Sequence, residues 1–140
     1  RGFNLKQQLL GSLALKDCIV TDVGTFDPDE PSDFNDSAIA VAQAVREHPG
    51  SFGILICDSA HGVTMQANRF KGIRAANCDG LESAILAREH DDANILCLSA
   101  HFIDATLASQ IVETFLETKF NNLDRRVRRI NRLDERNDYE

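Results

Sequence analysis

The chain has 140 residues, 43% hydrophobic and 26% charged, with a formal net charge of −7. That composition suits one soluble domain with a buried core. It argues against nucleic acid as a partner, which calls for a basic face, and against a membrane, because no apolar run approaches the roughly 20 residues of a span and no secretory pattern is visible.

In chain order, Phe3, Leu5, Leu9, Leu10 and Leu13 share one helical face over about residues 3–15. The run "DCIVTDVG", residues 17–24, reads as a strand ending at Gly24, and "TFDPDEPSD" as a loop. Ser32 or Asp33 caps a helix running to about Glu47, whose apolar face includes Ile39, Val41, Ala42 and Val45. "HPGS" stops it, "FGILIC" is a strand, and a helix follows from about Val63 to Arg69. "GIRAANC" (72–78) is the next strand, Gly80 to His90 a helix, and "NILCLSA" (94–100) another strand. Helices from Asp104 to about Glu117 and from about Leu123 to Glu135 complete the series.

Short apolar strands alternating with helices predict strands covered on both faces and joined by parallel crossovers. The fold class is therefore α/β: a doubly wound, Rossmann-like parallel sheet in an α/β/α sandwich, as a single domain. Ligands belong beyond the carboxyl ends of the strands, where Gly24, Cys57 and Ala100 fall.

The four cysteines are Cys18, Cys57, Cys78 and Cys97. None forms a Cys-x-x-Cys pair, so no metal is expected, and reduced thiols in the cytoplasm are the plain inference. Cys57 ends an apolar strand just before "DSAHG". Backbone N–H groups after such a strand favour an anion, and a thiolate there can act as nucleophile or general base. The competing reading makes Cys57 a small buried hydrophobe, like Cys18 and Cys97. His61 and His101 each follow a strand and face the expected cleft, whereas His48 belongs on the surface. His90 closes a helix, where a histidine suits the dipole or can move a proton to a ring oxygen. Arg125 and Arg129, four apart in "RRVRR", share a helical face and suit phosphate, or else pair with Asp124 and Glu135.

"GILIC", "ANRFKGIRAA", "SAILAREHDDANILCL" and the arginine-rich last helix occur in one order, preceded by "GFNLKQQL" and "VTDVGTFDPDEPSDF". Over nearly the whole chain they resemble the sugar-phosphate isomerase family of ribose-5-phosphate isomerase type B and galactose-6-phosphate isomerase. The resemblance implies aldose–ketose isomerisation through an enediolate, with no metal or organic cofactor. It implies Cys57 as the base, Ser59 as a hydroxyl that moves protons, and His90 as the group that opens the sugar ring. The wider substrate- and phosphate-binding set it implies is Asp58, His61, Gly62, Asn68, Asp91, His101, Arg125 and Arg129. It also implies a dimer or tetramer with its active site between subunits, the last helix reaching a neighbouring chain.

The sequence departs from that pattern in three places. The family opens with a strand and an acidic turn, whereas this sequence starts at Arg1, next to the first helix, so residues missing ahead of it are the expected reason. The family's glycine-rich loop is here Asp58-Ser59-Ala60-His61-Gly62, in which side chains replace glycines and a carboxylate would repel an enediolate. His101 stands where many members carry an arginine, and is a phosphate ligand only when charged. "PSDFNDSAIAVAQAV" leans toward the A-type subunit of galactose-6-phosphate isomerase, which works with a B-type partner; Cys57 points back to the ribose type, and Asp58 and His61 in the altered loop leave a non-catalytic phosphosugar-binding paralogue as a further alternative.

Overall fold

The computed structural model describes residues 2–135, apart from the side chain of Leu13. Among the described residues three strands, β1 (Gly53–Cys57), β2 (Ala75–Asn77) and β3 (Ile95–Ser99), form a parallel sheet in the order β1-β3-β2. Gly53 lies opposite Ile95 and Cys57 opposite Ser99, so β1 and β3 end level with one another. The helices are α1 (Gly2–Leu10), α2 (Phe34–Glu47), α3 (His61–Ala67), α4 (Leu81–Asp91), α5 (Ala105–Glu117) and α6 (Asp124–Leu133).

Strand β3 explains why its sequence lacks polar alternation: every residue in it is buried. Side chains still alternate in direction along the strand. Leu96 and Leu98 join a cluster with Leu5 and Leu9 of α1, Ala84 and Ala87 of α4, and Ile111 and Phe115 of α5. Ile95 and Cys97 point the other way, into a cluster with Ala38, Ala42 and Val45 of α2 and Val63 and Ala67 of α3. The doubly wound sandwich therefore follows from one strand buried on both faces. No helix among the described residues is long and apolar enough to cross a membrane.

Several expected elements differ. Residues 17–24 form no strand, and Cys18 is exposed rather than buried. A strand needs a neighbouring backbone to take its N–H and C=O groups, and no described strand lies beside this one. Its polar groups turn to α1 instead. Lys6 Nζ donates to Asp22 Oδ1 and Oδ2 at 3.1 and 3.0 Å and to the carbonyls of Gly24 and Thr25 at 2.5 and 2.7 Å. The first helix stops at Leu10, and Leu13–Leu15 form a separate 3₁₀ turn after Gly11. The run 72–78 shortens to Ala75–Asn77, because Gly72 sits at φ +82, outside strand geometry.

Candidate active site

The carboxyl ends of β1 and β3 are tied into one surface by three hydrogen bonds, two from backbone N–H groups and one from a side chain. Ala100 N donates to Cys57 O at 2.9 Å and His101 N to Asp58 O at 3.0 Å. Ser99 Oγ donates to Asp58 O at 2.6 Å and itself accepts from His101 N at 3.3 Å. The loop after Cys57 is thus held by the strand next to it. On its other side Asn77 Nδ2 donates to Ser59 O at 3.4 Å, linking the end of β2.

Cys57 is half-buried and unpaired. Burial separates it from the thiols deeper in the sheet. Cys97 is fully buried, and loss of hydration pushes its thiol up to about 12. Cys78 is raised by the same desolvation, against a hydrogen bond from Ser83. Both are held as neutral packing groups, which leaves Cys57 as the sheet thiol that meets solvent at a carboxyl end. The reading of Cys57 as one more sealed hydrophobe does not fit this position, and Cys18 is no buried hydrophobe either.

The loop replaces glycines without losing its sharp turn, because Ala60 takes the left-handed conformation at φ 66 and is fully buried. An alanine there costs about 1 kcal/mol relative to glycine. Ala60 then starts α3, and Thr64 Oγ1 donates back to its carbonyl at 2.6 Å. His61 is consequently the first residue of α3 rather than a loop residue, and it is exposed. Gly62 is needed for a close approach: a Cβ there would lie 2.9 Å from the Phe34 ring.

Asp58 and His101 face each other, with Oδ1 3.6 Å from Nδ1, and the imidazole packs edge-on to Phe102. The carboxylate that would repel an enediolate thus has a cation-capable neighbour, which offsets its charge when His101 is protonated. Asn68 caps the end of α3 and uses both halves of its amide on one residue of β2. Its Nδ2 donates to Ala75 O at 2.9 Å, and Ala75 N donates to its Oδ1 at 2.8 Å.

The remaining predicted residues sit elsewhere. In a parallel crossover the helix runs back against the strands, so the end of α4 lies at the amino ends of the strands. Hydrogen bonds of that helix end agree: Arg88 Nη1 donates to Ala93 O, just before β3. His90 and Asp91 are therefore at the opposite end of the sheet from Cys57. The arginine-rich helix packs there too. Arg126 Nη1 lies 3.7 Å from Glu89 Oε1, and Asp134 Oδ2 accepts from Gly72 N at 3.0 Å. Arg125 and Arg129 are exposed on that helix, and His90 Nε2 lies 3.7 Å from Glu89 Oε1. One chain brings together Cys57, Asp58, Ser59, His61, Gly62 and His101, and separately His90, Asp91, Arg125 and Arg129.

Ser99 and Asn77, which hold the loop, escaped sequence reasoning. Their signal was a polar residue closing an apolar strand, in "NILCLS" and "RAAN".

An open parallel sheet with a solvent-facing thiol at a strand end is the frame of a small-molecule enzyme of the acid–base or covalent kind. The model of the Ribose/Galactose Isomerase family matches residues 1–133, so the chain belongs to that family. It is 42% identical to a ribose 5-phosphate isomerase of Thermotoga maritima, whose crystal structure superposes with a TM-score of 0.90 over 96% of this chain and 92% of that one. A ribose-5-phosphate isomerase B of Mycoplasma genitalium, solved with bound ribulose-5-phosphate, is 38% identical, with a TM-score of 0.88 over 94% and 87% of the two chains. A 4-deoxy-4-sulfo-D-erythrose isomerase of a Clostridium species is 38% identical over 85% of this chain and 75% of its own. The expected α/β sheet architecture and the expected aldose–ketose isomerisation of a sugar phosphate are both borne out.

Proposed function

We propose that the chain interconverts ribose 5-phosphate and ribulose 5-phosphate in a site completed by a second copy of itself. The observation that carries this is the separation just described: the thiol loop and the His90–arginine group lie at opposite ends of one sheet. A sugar phosphate of five carbons cannot span them within one chain. A second copy that sets its α4–α6 end against the first copy's β1–β3 end unites them, and closed twofold pairing makes two equal sites. The last helix then reaches the neighbouring subunit.

In that site the Cys57 thiolate removes the proton on C2 of the open-chain aldose, and the electron pair moves to the carbonyl oxygen on C1, giving an enediolate. The proton returns to C1 as the C2 hydroxyl becomes the new carbonyl, so no net atom or electron is lost. Ser59 moves the hydroxyl proton between O1 and O2. Backbone N–H groups of residues 58–62 face the developing oxyanion. The second copy's His90 moves the proton that opens the ring, and its Arg125 and Arg129 hold the phosphate. Neither step needs a metal or organic cofactor. The ribulose-5-phosphate bound to the Mycoplasma genitalium relative supports the five-carbon substrate. Four unpaired cysteines support a reducing compartment such as the cytoplasm.

Turnover of ribose 5-phosphate beside galactose 6-phosphate, with wild-type and Cys57→Ala protein, tests this reading. Conversion of the pentose, falling roughly 10²- to 10⁴-fold in the variant, is expected. An unchanged rate in Cys57→Ala would remove the thiol from the mechanism, and preference for the hexose would move the substrate.

A further inference from the structure

The amino ends of the strands border an open cleft of about 500 Å³ that the isomerase chemistry does not use. Its size is that of a small-molecule site. Val45, 8% exposed, and Phe52, 38% exposed, give it an apolar wall. Four cationic side chains also line it: Arg46, Lys71, Arg74 and Arg88.

One lining carboxylate answers them. Asp92 Oδ1 accepts from Arg88 Nη1 at 2.8 Å, and Asp92 Oδ2 accepts from Arg74 Nη2 at 3.2 Å. Arg88 is 7% exposed and its guanidinium lies 4.7 Å above the Phe52 ring. These two arginines are fixed in place while sharing a single negative charge. Arg46 and Lys71 line the same cleft and are exposed. Neither makes an ion pair among the described residues. The nearby Asp134 already accepts from Gly72 N. The cleft therefore carries a surplus of positive charge in a chain of net charge −7. A low-dielectric concave wall focuses such a charge on an incoming anion. Arg88 and His90 stand about 200° apart around α4, so the cleft opens on a different helix face from the ring-opening histidine.

We propose that this cleft binds a small organic phosphate of nucleoside monophosphate size, its phosphate at Arg46 and Lys71 and its ring against Phe52 and Val45. Arginine and lysine together suit a phosphate, and the apolar wall gives the rest of the ligand a dry surface.

Calorimetric titration of the full chain with adenosine 5′-monophosphate and with inorganic phosphate tests this, repeated in saturating ribose 5-phosphate and with an Arg46→Ala/Lys71→Ala double variant. Both residues are exposed, so the variant is expected to fold and to keep its isomerase rate. The expected result is saturable nucleotide binding, tighter than inorganic phosphate, unmoved by the sugar phosphate and weakened roughly tenfold or more in the variant. Absence of saturable binding up to about 10 mM, equal affinity in the double variant, no preference over inorganic phosphate, or displacement by ribose 5-phosphate would each overturn it.

Discussion

The Ser99 hydroxyl donates to the backbone carbonyl of Asp58 at 2.6 Å, so the end of the central strand fixes the first residue after the Cys57 thiol. Ser99 is 2% exposed and the same oxygen receives the N–H groups of His101 and Phe102 at 3.3 Å. Ser99→Ala removes this junction, while His101 N continues to satisfy the Asp58 carbonyl. A loss of about 1 kcal/mol in chemical denaturation is expected, with a fall in kcat larger than the change in KM. Full kcat in a destabilised Ser99→Ala protein would show that the loop keeps its shape without the strand.

Gly53 opens β1 directly beneath α2. A Cβ there would stand 2.6 Å from Val41 Cγ1, 3.0 Å from Ile95 Cγ1 and 3.1 Å from Val45 Cγ2. Gly53→Ala overpacks the contact and is expected to cost about 1 to 3 kcal/mol. Val41→Ala removes the nearest methyl, so the double variant should recover part of that loss, measured as a coupling energy in a double-mutant cycle. Strict additivity would mean the helix shifts freely over the strand.

Asn68 spends its whole amide on Ala75, fastening α3 to β2. Asn68→Ala is expected to lower stability by about 1 to 2 kcal/mol and to leave KM for the sugar phosphate within about twofold. An unchanged melting temperature with a KM raised about tenfold would instead give the amide to the substrate, the role its family resemblance implies.

The sheet has a pH signature. Burial raises the Cys97 thiol from 9.0 to about 12 in the fold, and Cys78 moves the same way. The folded state keeps protons that the unfolded chain releases, so stability is fully present below pH 9 and declines as pH rises from 9 toward 12. Cys97→Ala, at a cost of about 1 kcal/mol near neutrality, should show a shallower alkaline decline. Parallel alkaline curves for the two proteins would mean that the thiol stays protonated in neither state or both.

Order and type of most elements were legible because β3 is apolar from Ile95 to Leu98 and the α2 and α5 faces repeat with helical period. The strand expected at residues 17–24 was not, since pairing depends on a neighbour that composition does not reveal, and Lys6 takes its carbonyls instead. Cys57 could be placed at a strand end from its flanks alone. Its distinction from Cys97 needed burial, which a sequence of four similar thiols conceals. That His90 lies at the other end of the sheet from Cys57 follows from crossover direction, and so was implicit in the element order. The partnership of Asp58 with His101, 43 positions apart in number, came only with the register of β1 and β3.

The proposed sharing of the site between two copies is tested most directly by subunit complementation. Cys57→Ala and His90→Ala proteins, each inactive alone, are unfolded together, refolded at equal concentration and assayed for ribose 5-phosphate turnover. A twofold pair containing one chain of each kind restores one intact site and leaves one doubly damaged, so random pairing returns about a quarter of wild-type activity. Activity no higher than the sum of the two separate proteins, with mixed oligomers demonstrably formed, would contradict a site built from the thiol end of one copy and the histidine end of another.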